Sequence, residues 1–222
     1  MPPRRPATAG HTVLVELRDA VLRRRMARRF VPDVPVAPEV VRDLVGLALR
    51  APSAGFTQGW DFLALLAPED RAAFWAATDD GGPPDAWRRG VSAAPALVLC
   101  LSDPTAYLDR YAEPDKGWDD RSLHRWPIPY WDTDTAMAAM VLLLAAEDAG
   151  LAALFFGVPG DRHTAVREAL GIPADRRIVG VVALGTEAER VSGSARSRHR
   201  RGVDEVHHEG RFGASDGAAP RR

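Results

Sequence analysis

Apolar residues at Val13, Leu14, Leu17, Val21 and Leu22, interleaved with Glu16, Arg18 and Asp19, repeat at helical spacing and predict a first helix over residues 13–24. Pro32 and Pro35 then impose an extended passage. Pro38 and Glu39 open a second helix, whose apolar set is Val40, Val41, Leu44, Leu47 and Ala48 and which runs to about Ala51. Residues 60–67 read as a strand, 71–78 as a short helix, and 96–102 (ALVLCLS) as a strand buried on both faces. Further on, 151–157 (LAALFFG) and 178–185 (IVGVVALG) are two more apolar strands. Asp161 is placed as the cap of a helix that ends near Gly171.

Two stretches depart from ordinary periodicity. Residues 103–131 show no clear repeat, yet they hold Tyr107, Tyr111, Tyr130, Trp118, Trp126 and Trp131. Aromatic content this high argues against disorder, so the stretch reads as a lid over a substrate, with Tyr107, Tyr111, Trp118 and Trp126 as its working residues; the alternative is a long crossover pinned to the surface. The next segment, 134–149, is a helix capped by Asp132 or Thr133 and closed by Gly150. Its stretch AMAAMVLLLAA is apolar nearly all round. Covering every side of such a helix in a small domain calls for a partner subunit, hence a homodimer. Helices alternating with a few strands indicate an α+β fold, a central mixed or antiparallel sheet flanked by helices. Residues 1–12 and the chain's end read as frayed tails, leaving 13–190 as one domain and 191–222 as a C-terminal arm and tail.

Composition narrows the function. The chain has 222 residues, 46% of them hydrophobic, and a formal net charge of −1. It can bury one core, and it lacks the basic field of a nonspecific nucleic-acid binder. The single cysteine, Cys100, sits inside an apolar strand and reads as a core thiol. The N-terminus carries no apolar signal core and no run is long enough to span a bilayer, so the expected location is the cytoplasm, away from membranes. The histidines form no trusted ligand spacing, and no metal is expected. No nucleophile elbow, P-loop or G-x-G-x-x-G stands in the chain.

Against that neutral background, residues 23–30, RRRMARRF, place five arginines in eight positions. A second cluster, Arg196, Arg198, Arg200 and Arg201, lies near the C-terminus. Two remote basic clusters in a nearly neutral protein can converge on one phosphate, although a solvated interaction segment is the plain alternative. Residues 51–60, APSAGFTQGW, form a tight loop whose backbone can approach a ligand closely.

In order, RRMARRF (24–30), APSAGFTQGW, GLAALFFG (150–157), VVALG (181–185) and RHRRGVDEV (198–206) resemble the FMN-dependent nitroreductase superfamily. The first two are similar to R-R-S-x-R-x-F and A-P-S-x-x-N-x-Q-P-W. The resemblance implies an intertwined homodimer binding FMN at the subunit interface, with NAD(P)H as co-substrate. It implies that Arg24 and Arg28 meet the flavin phosphate together with Arg198 and Arg200, and that Arg25 and Met26, the latter through its backbone, belong to the same cofactor-binding segment. It places the backbone of Pro52, Ser53, Ala54 and Gly55 beside the ring and ribityl chain, Phe156 and Gly157 at the redox edge, and Arg89 toward the pyrimidine carbonyl. The flavin carries the chemistry, so no side chain is assigned as catalytic.

This chain departs from the pattern at Met26, where serine is usual, at Phe56, where asparagine is usual, and at Gly59, where proline is usual. The last two make the loop more apolar and more flexible. The implied activity is ping-pong reduction of a small aromatic, quinone or nitro-type acceptor. A flavin-remodelling or reductive substituent-removing enzyme is an alternative on the same fold. A non-enzymatic anion- or RNA-binding module using the two arginine clusters is an alternative of another class.

Overall fold

A computed structural model describes residues 16–190 and 198–213. Apart from Gly213, the frayed tails expected at either end lie outside the described residues, as do residues 13–15 of the first helix and Arg196. The chain divides into one unit up to Arg190 and a second, smaller one from Val191.

Four strands make a single antiparallel sheet in the order β1-β2-β4-β3, with β1 Trp60–Leu65, β2 Ala96–Ser102, β3 Ala152–Phe156 and β4 Arg177–Gly185. Every residue of β2 is buried, as its unbroken apolar run requires. Its two faces feed two cores, because side chains alternate along a strand. Ala96, Val98 and Cys100 pack with α2 (Pro38–Ala48) and α6 (Tyr130–Asp148). Leu97, Leu99 and Leu101 pack on the other side with Phe74 of α3 (Pro68–Ala77), Val91 of α4 (Ala86–Ser92) and Val166 of α7 (His163–Leu170). The result is helix, sheet, helix in three layers. Two further helices are α1 (Leu17–Arg23) and α5 (Pro104–Ala112).

Several elements differ from the sequence reading, each for a local reason. Asp103 caps α5 by accepting from Thr105 N (2.9 Å) and Ala106 N (3.2 Å), with Pro104 at the first helical position, so the stretch after β2 begins as a regular helix. Asp85 caps α4 by accepting from Arg88 N at 2.6 Å, and the sequence reading had no helix there. Helix α6 starts at Tyr130, earlier than a cap at Asp132 would allow. Asp132 instead accepts from Ser102 Oγ (2.6 Å) and pairs with Arg177 (2.9 Å), tying the helix to the ends of β2 and β4. Asp161 lies in a 3-10 turn, Gly160–Arg162, and does not cap α7. Gly171, left-handed at φ 65°, ends that helix as expected.

Helix α6 is covered by the sheet on one side and α2 on another. Ala136, Met137 and Met140 remain exposed, as do Leu17, Val21 and Leu22 of the adjacent α1. Burial pushes the Cys100 thiol up to about 12. An unfolded thiol ionises near its ordinary 9.0 while the folded one keeps its proton, so stability falls as pH rises from 9 toward 12, by up to about 4 kcal/mol. Urea midpoints measured from pH 8 to 11 are expected to decline steadily, and the Cys100→Ala variant to show a shallower slope.

Candidate functional site

The arginine segment leaves the helical conformation at Arg24 (φ −51°, ψ 129°) and runs extended along the free edge of β3. Met26 forms a parallel bridge with Ala153, and Ala27 N donates to Ala153 O at 2.9 Å. Further along, Phe30 bridges Glu187 and donates from its backbone to Gly90 O at 3.2 Å.

Pairing separates the five arginines. Arg23 pairs with Asp19 at 3.0 Å, Arg29 with Glu189, and Arg25 with Glu187 through both carboxylate oxygens. The Glu187 contact raises Arg25 above the usual arginine range. Arg24 and Arg28 have no carboxylate partner among the described residues. Arg28 Nη1 reaches only the Met26 carbonyl, at 3.4 Å. Arg24 Nη1 is buried without any hydrogen-bond partner. A buried guanidinium nitrogen left unpaired is costly, and an anion bound there would satisfy it. The Arg25 guanidinium clamps the segment to the chain just after β4, through an acid 162 positions away.

Met26 is equally committed to the protein. Its sulfur accepts from Phe155 N at 3.4 Å, and its side chain packs against both cores. It supports the segment from beneath.

The 51–59 loop contains a 3-10 turn, Ala54–Phe56. Gly55 has φ 62°, and two non-glycine residues, Phe56 (φ 55°) and Gln58 (φ 54°), are also left-handed. Such positions cost about 1–2 kcal/mol each and persist only where surroundings enforce them. Thr57 Oγ1 donates to Ala54 O (2.6 Å), Gln58 N donates to Ser53 Oγ (3.0 Å), and Ala54 N donates to the buried carboxylate of Asp134 at 2.8 Å. Gly59 does not loosen the loop. A Cβ there would lie 2.6 Å from Tyr107 Cε2, so glycine is what admits the tyrosine ring.

The residues of the expected lid gather in one cluster. Tyr107 on α5 is completely buried, with its hydroxyl donating to Asp134 Oδ2 at 2.7 Å. Burial, then the Asp134 contact, raise its phenol above the usual range and keep it a donor. Tyr111, Trp118, Trp126, Tyr130 and Trp131 join it in one ring cluster, with Trp126 in edge contact with Tyr107 at 6.0 Å and Tyr111 at 4.6 Å.

Phe156 ends β3 and stacks on Trp75 at 5.8 Å with 8° between planes. With Phe74, Trp87, Gly157, Val158 and Pro159 these rings line a cavity of about 150 Å³. Arg89 donates to Pro84 O and lines a separate hollow beside Arg29 and Phe30. In the second unit, Arg198 and Arg200 are exposed, next to a 3-10 turn, Val203–Glu205, in which Gly202 N donates to Glu205 Oε1 at 2.7 Å. Among the described residues no three His, Cys, Asp or Glu side chains group as a metal ion would need. No described helix is long and apolar enough to cross a membrane.

The family model for the nitroreductase family matches residues 21–186, from the end of α1 to just past β4. The chain belongs to the nitroreductase family. Solved structures carry the same fold at low identity. A nitroreductase family protein from Streptococcus pneumoniae TIGR4 superposes with a TM-score of 0.65 at 20% identity, covering 87% of this chain and 100% of that one. A protein from Exiguobacterium sibiricum 255-15, solved in complex with FMN, gives 0.66 at 18%, covering 87% and 96%. CLA-ER, an enone reductase of gut-bacterial fatty acid saturation, gives 0.66 at 22%, covering 86% and 95%.

In this nitroreductase-family chain the two implied halves of the site are tied to different elements. Ala54 is tied to Asp134 near the start of α6, whereas Met26 bridges Ala153 on β3. Sequence reasoning did not single out Asp134 or Arg110, which donates from Nε to Gly55 O at 3.0 Å. The available signal for the first was an acid inside an otherwise apolar helix.

Proposed function

We propose that the chain is an FMN-dependent NAD(P)H oxidoreductase that works as a homodimer and reduces a small aromatic, quinone or nitro-type acceptor. The observation that carries this reading is the pair Arg24 and Arg28. Among the described residues their guanidiniums have no acid partner, one has a buried unpaired nitrogen, and both lie beside the β3 edge that leads to Phe156 and Gly157. Planar guanidiniums suit phosphate oxygens and stay charged at any working pH.

In this reading Arg24 and Arg28 hold the FMN phosphate, with Arg198 and Arg200 supplied by the C-terminal arm. Pro52, Ser53, Ala54 and Gly55 line the ring and ribityl chain. The Phe156 and Gly157 backbone faces the redox edge, where amide dipoles favour developing negative charge. Bound FMN supplies hydride acceptance and donation; the chain's own part is position, electrostatics and exclusion of water. NAD(P)H docks transiently, since the fold offers no dinucleotide-binding motif.

In this reading the site is built from both chains of the dimer, and the loop that meets the ring comes from a second copy. Exposed apolar residues on α1 and α6 offer that copy a surface.

A visible absorption spectrum of the purified protein, with FMN added if needed, tests the reading. A flavin spectrum that bleaches on anaerobic addition of NADH or NADPH is expected. A protein that takes up no FMN would overturn it and favour the anion-binding alternative.

A further inference from the structure

We propose that α5 and Asp134 form a brace that sets the 51–59 loop in the conformation presented to the flavin ring, so that residues 104–112 position the loop from below. The proposal rests on the FMN reading above and assigns Tyr107, Arg110 and Asp134 as positioning residues.

Two side-chain hydrogen bonds from outside reach the loop, and the rings of α5 pack against its glycines. Asp134 is 1% exposed, and one carboxylate oxygen accepts from both the Ala54 backbone (2.8 Å) and the Tyr107 hydroxyl (2.7 Å). A carboxylate inside an apolar helix is retained only where such donors meet it, and one of the two is the loop itself. Arg110 donates to Gly55 O at 3.0 Å while two bonds to Asp115, each 2.7 Å, hold the guanidinium still. Glycines at 55 and 59 leave room for α5 to come this close. Added Cβ atoms would lie 2.9 Å from Tyr111 Cε2 and 2.6 Å from Tyr107 Cε2.

The loop needs such support. Phe56 and Gln58 hold left-handed backbone without the freedom of glycine, and the 76% exposed Phe56 side chain gains little packing in return. External bonds at Ala54 and Gly55 enforce that geometry. The same fit explains the sequence departure at position 59, because a proline ring there would meet the Tyr107 ring. A buried polar pair with a purely structural role would stabilise the core but would have no reason to end on the backbone of a ligand loop.

Tyr107→Phe removes one donor and keeps the shape, and amide hydrogen exchange of the flavin-free protein reads the loop directly. Residues 51–57 are expected to exchange at least about tenfold faster, with β2 and β4 unchanged. In the same variant FMN is expected to bind about tenfold more weakly, with an altered visible circular dichroism band. Unchanged exchange in the loop overturns the brace. Faster exchange with wild-type FMN affinity and spectrum overturns its positioning role. If Tyr107→Phe does not fold, Asp134→Asn, which keeps the shape and removes the charge, carries the same readouts. Failure of the wild-type protein to take FMN sinks the functional reading instead, and the exchange measurement, which needs no flavin, tells the two failures apart.

Discussion

Replacing Arg24 and Arg200 together by alanine is expected to weaken FMN binding by about 10²- to 10⁴-fold, since each charge-assisted contact to a phosphate is worth about 1.5–3 kcal/mol. Fluorescence titration of the apoprotein with FMN would measure it. Little change in the apoprotein's melting temperature should accompany the loss, because among the described residues no carboxylate pairs with Arg24 and its buried Nη1 has no partner to lose. Arg25→Ala should do the reverse. It leaves the nearly buried Glu187 carboxylate unpaired, which costs roughly 1–3 kcal/mol after discounting for the partly exposed arginine. Two neighbours in one basic run would then separate into a ligand-binding and a structural residue. Full flavin occupancy in the double variant would remove the phosphate assignment.

Gly90→Ala is the second large effect, and its sign runs against propensity. In an exposed helix interior this change is worth about 1 kcal/mol in favour of alanine. Here the new Cβ would lie 2.2 Å from the Arg28 carbonyl oxygen and 3.0 Å from Arg29 Cγ. The first of these atoms is backbone, held between the β3 edge and the hydrogen bond from Phe30 to Gly90, so it cannot swing aside. A net loss of about 2–3 kcal/mol is expected, lowering the melting temperature by roughly 5–10 °C for a chain of this size. Because the displaced atoms belong to Arg28, FMN affinity should fall as well. An unchanged melting temperature would show that α4 does not press on the arginine segment.

Much of the architecture was legible along the chain because its signals are short-range. Runs such as ALVLCLS and IVGVVALG are too apolar to lie anywhere but a covered sheet, and both became strands there. Pro38 opened α2 and the left-handed Gly171 closed α7. The Asp103-Pro104 start of α5 was equally available, and the density of aromatics beyond it hid the signal. The α6 boundary was not available. Asp132 is a good cap by type, but Ser102 and Arg177, brought alongside by the sheet, occupy its carboxylate.

The candidate site divides along the same line. Clustered arginines, the A-P-S loop and the β3 strand marked an anion- and flavin-binding pattern in the order expected of the family that the chain belongs to. Which arginines remain available depended on Glu187 and Glu189, some 160 residues away. Likewise, Gly59 looked like a source of freedom until the Tyr107 ring was found against it. Periodicity, capping and residue type act over a few positions and can be read from the chain alone. Charge pairing and steric clearance are set by whichever groups the fold brings within a few ångströms, so tertiary structure alone decided that Arg24 and Arg28 have no acid partner among the described residues and that the loop is held by Asp134 and Arg110.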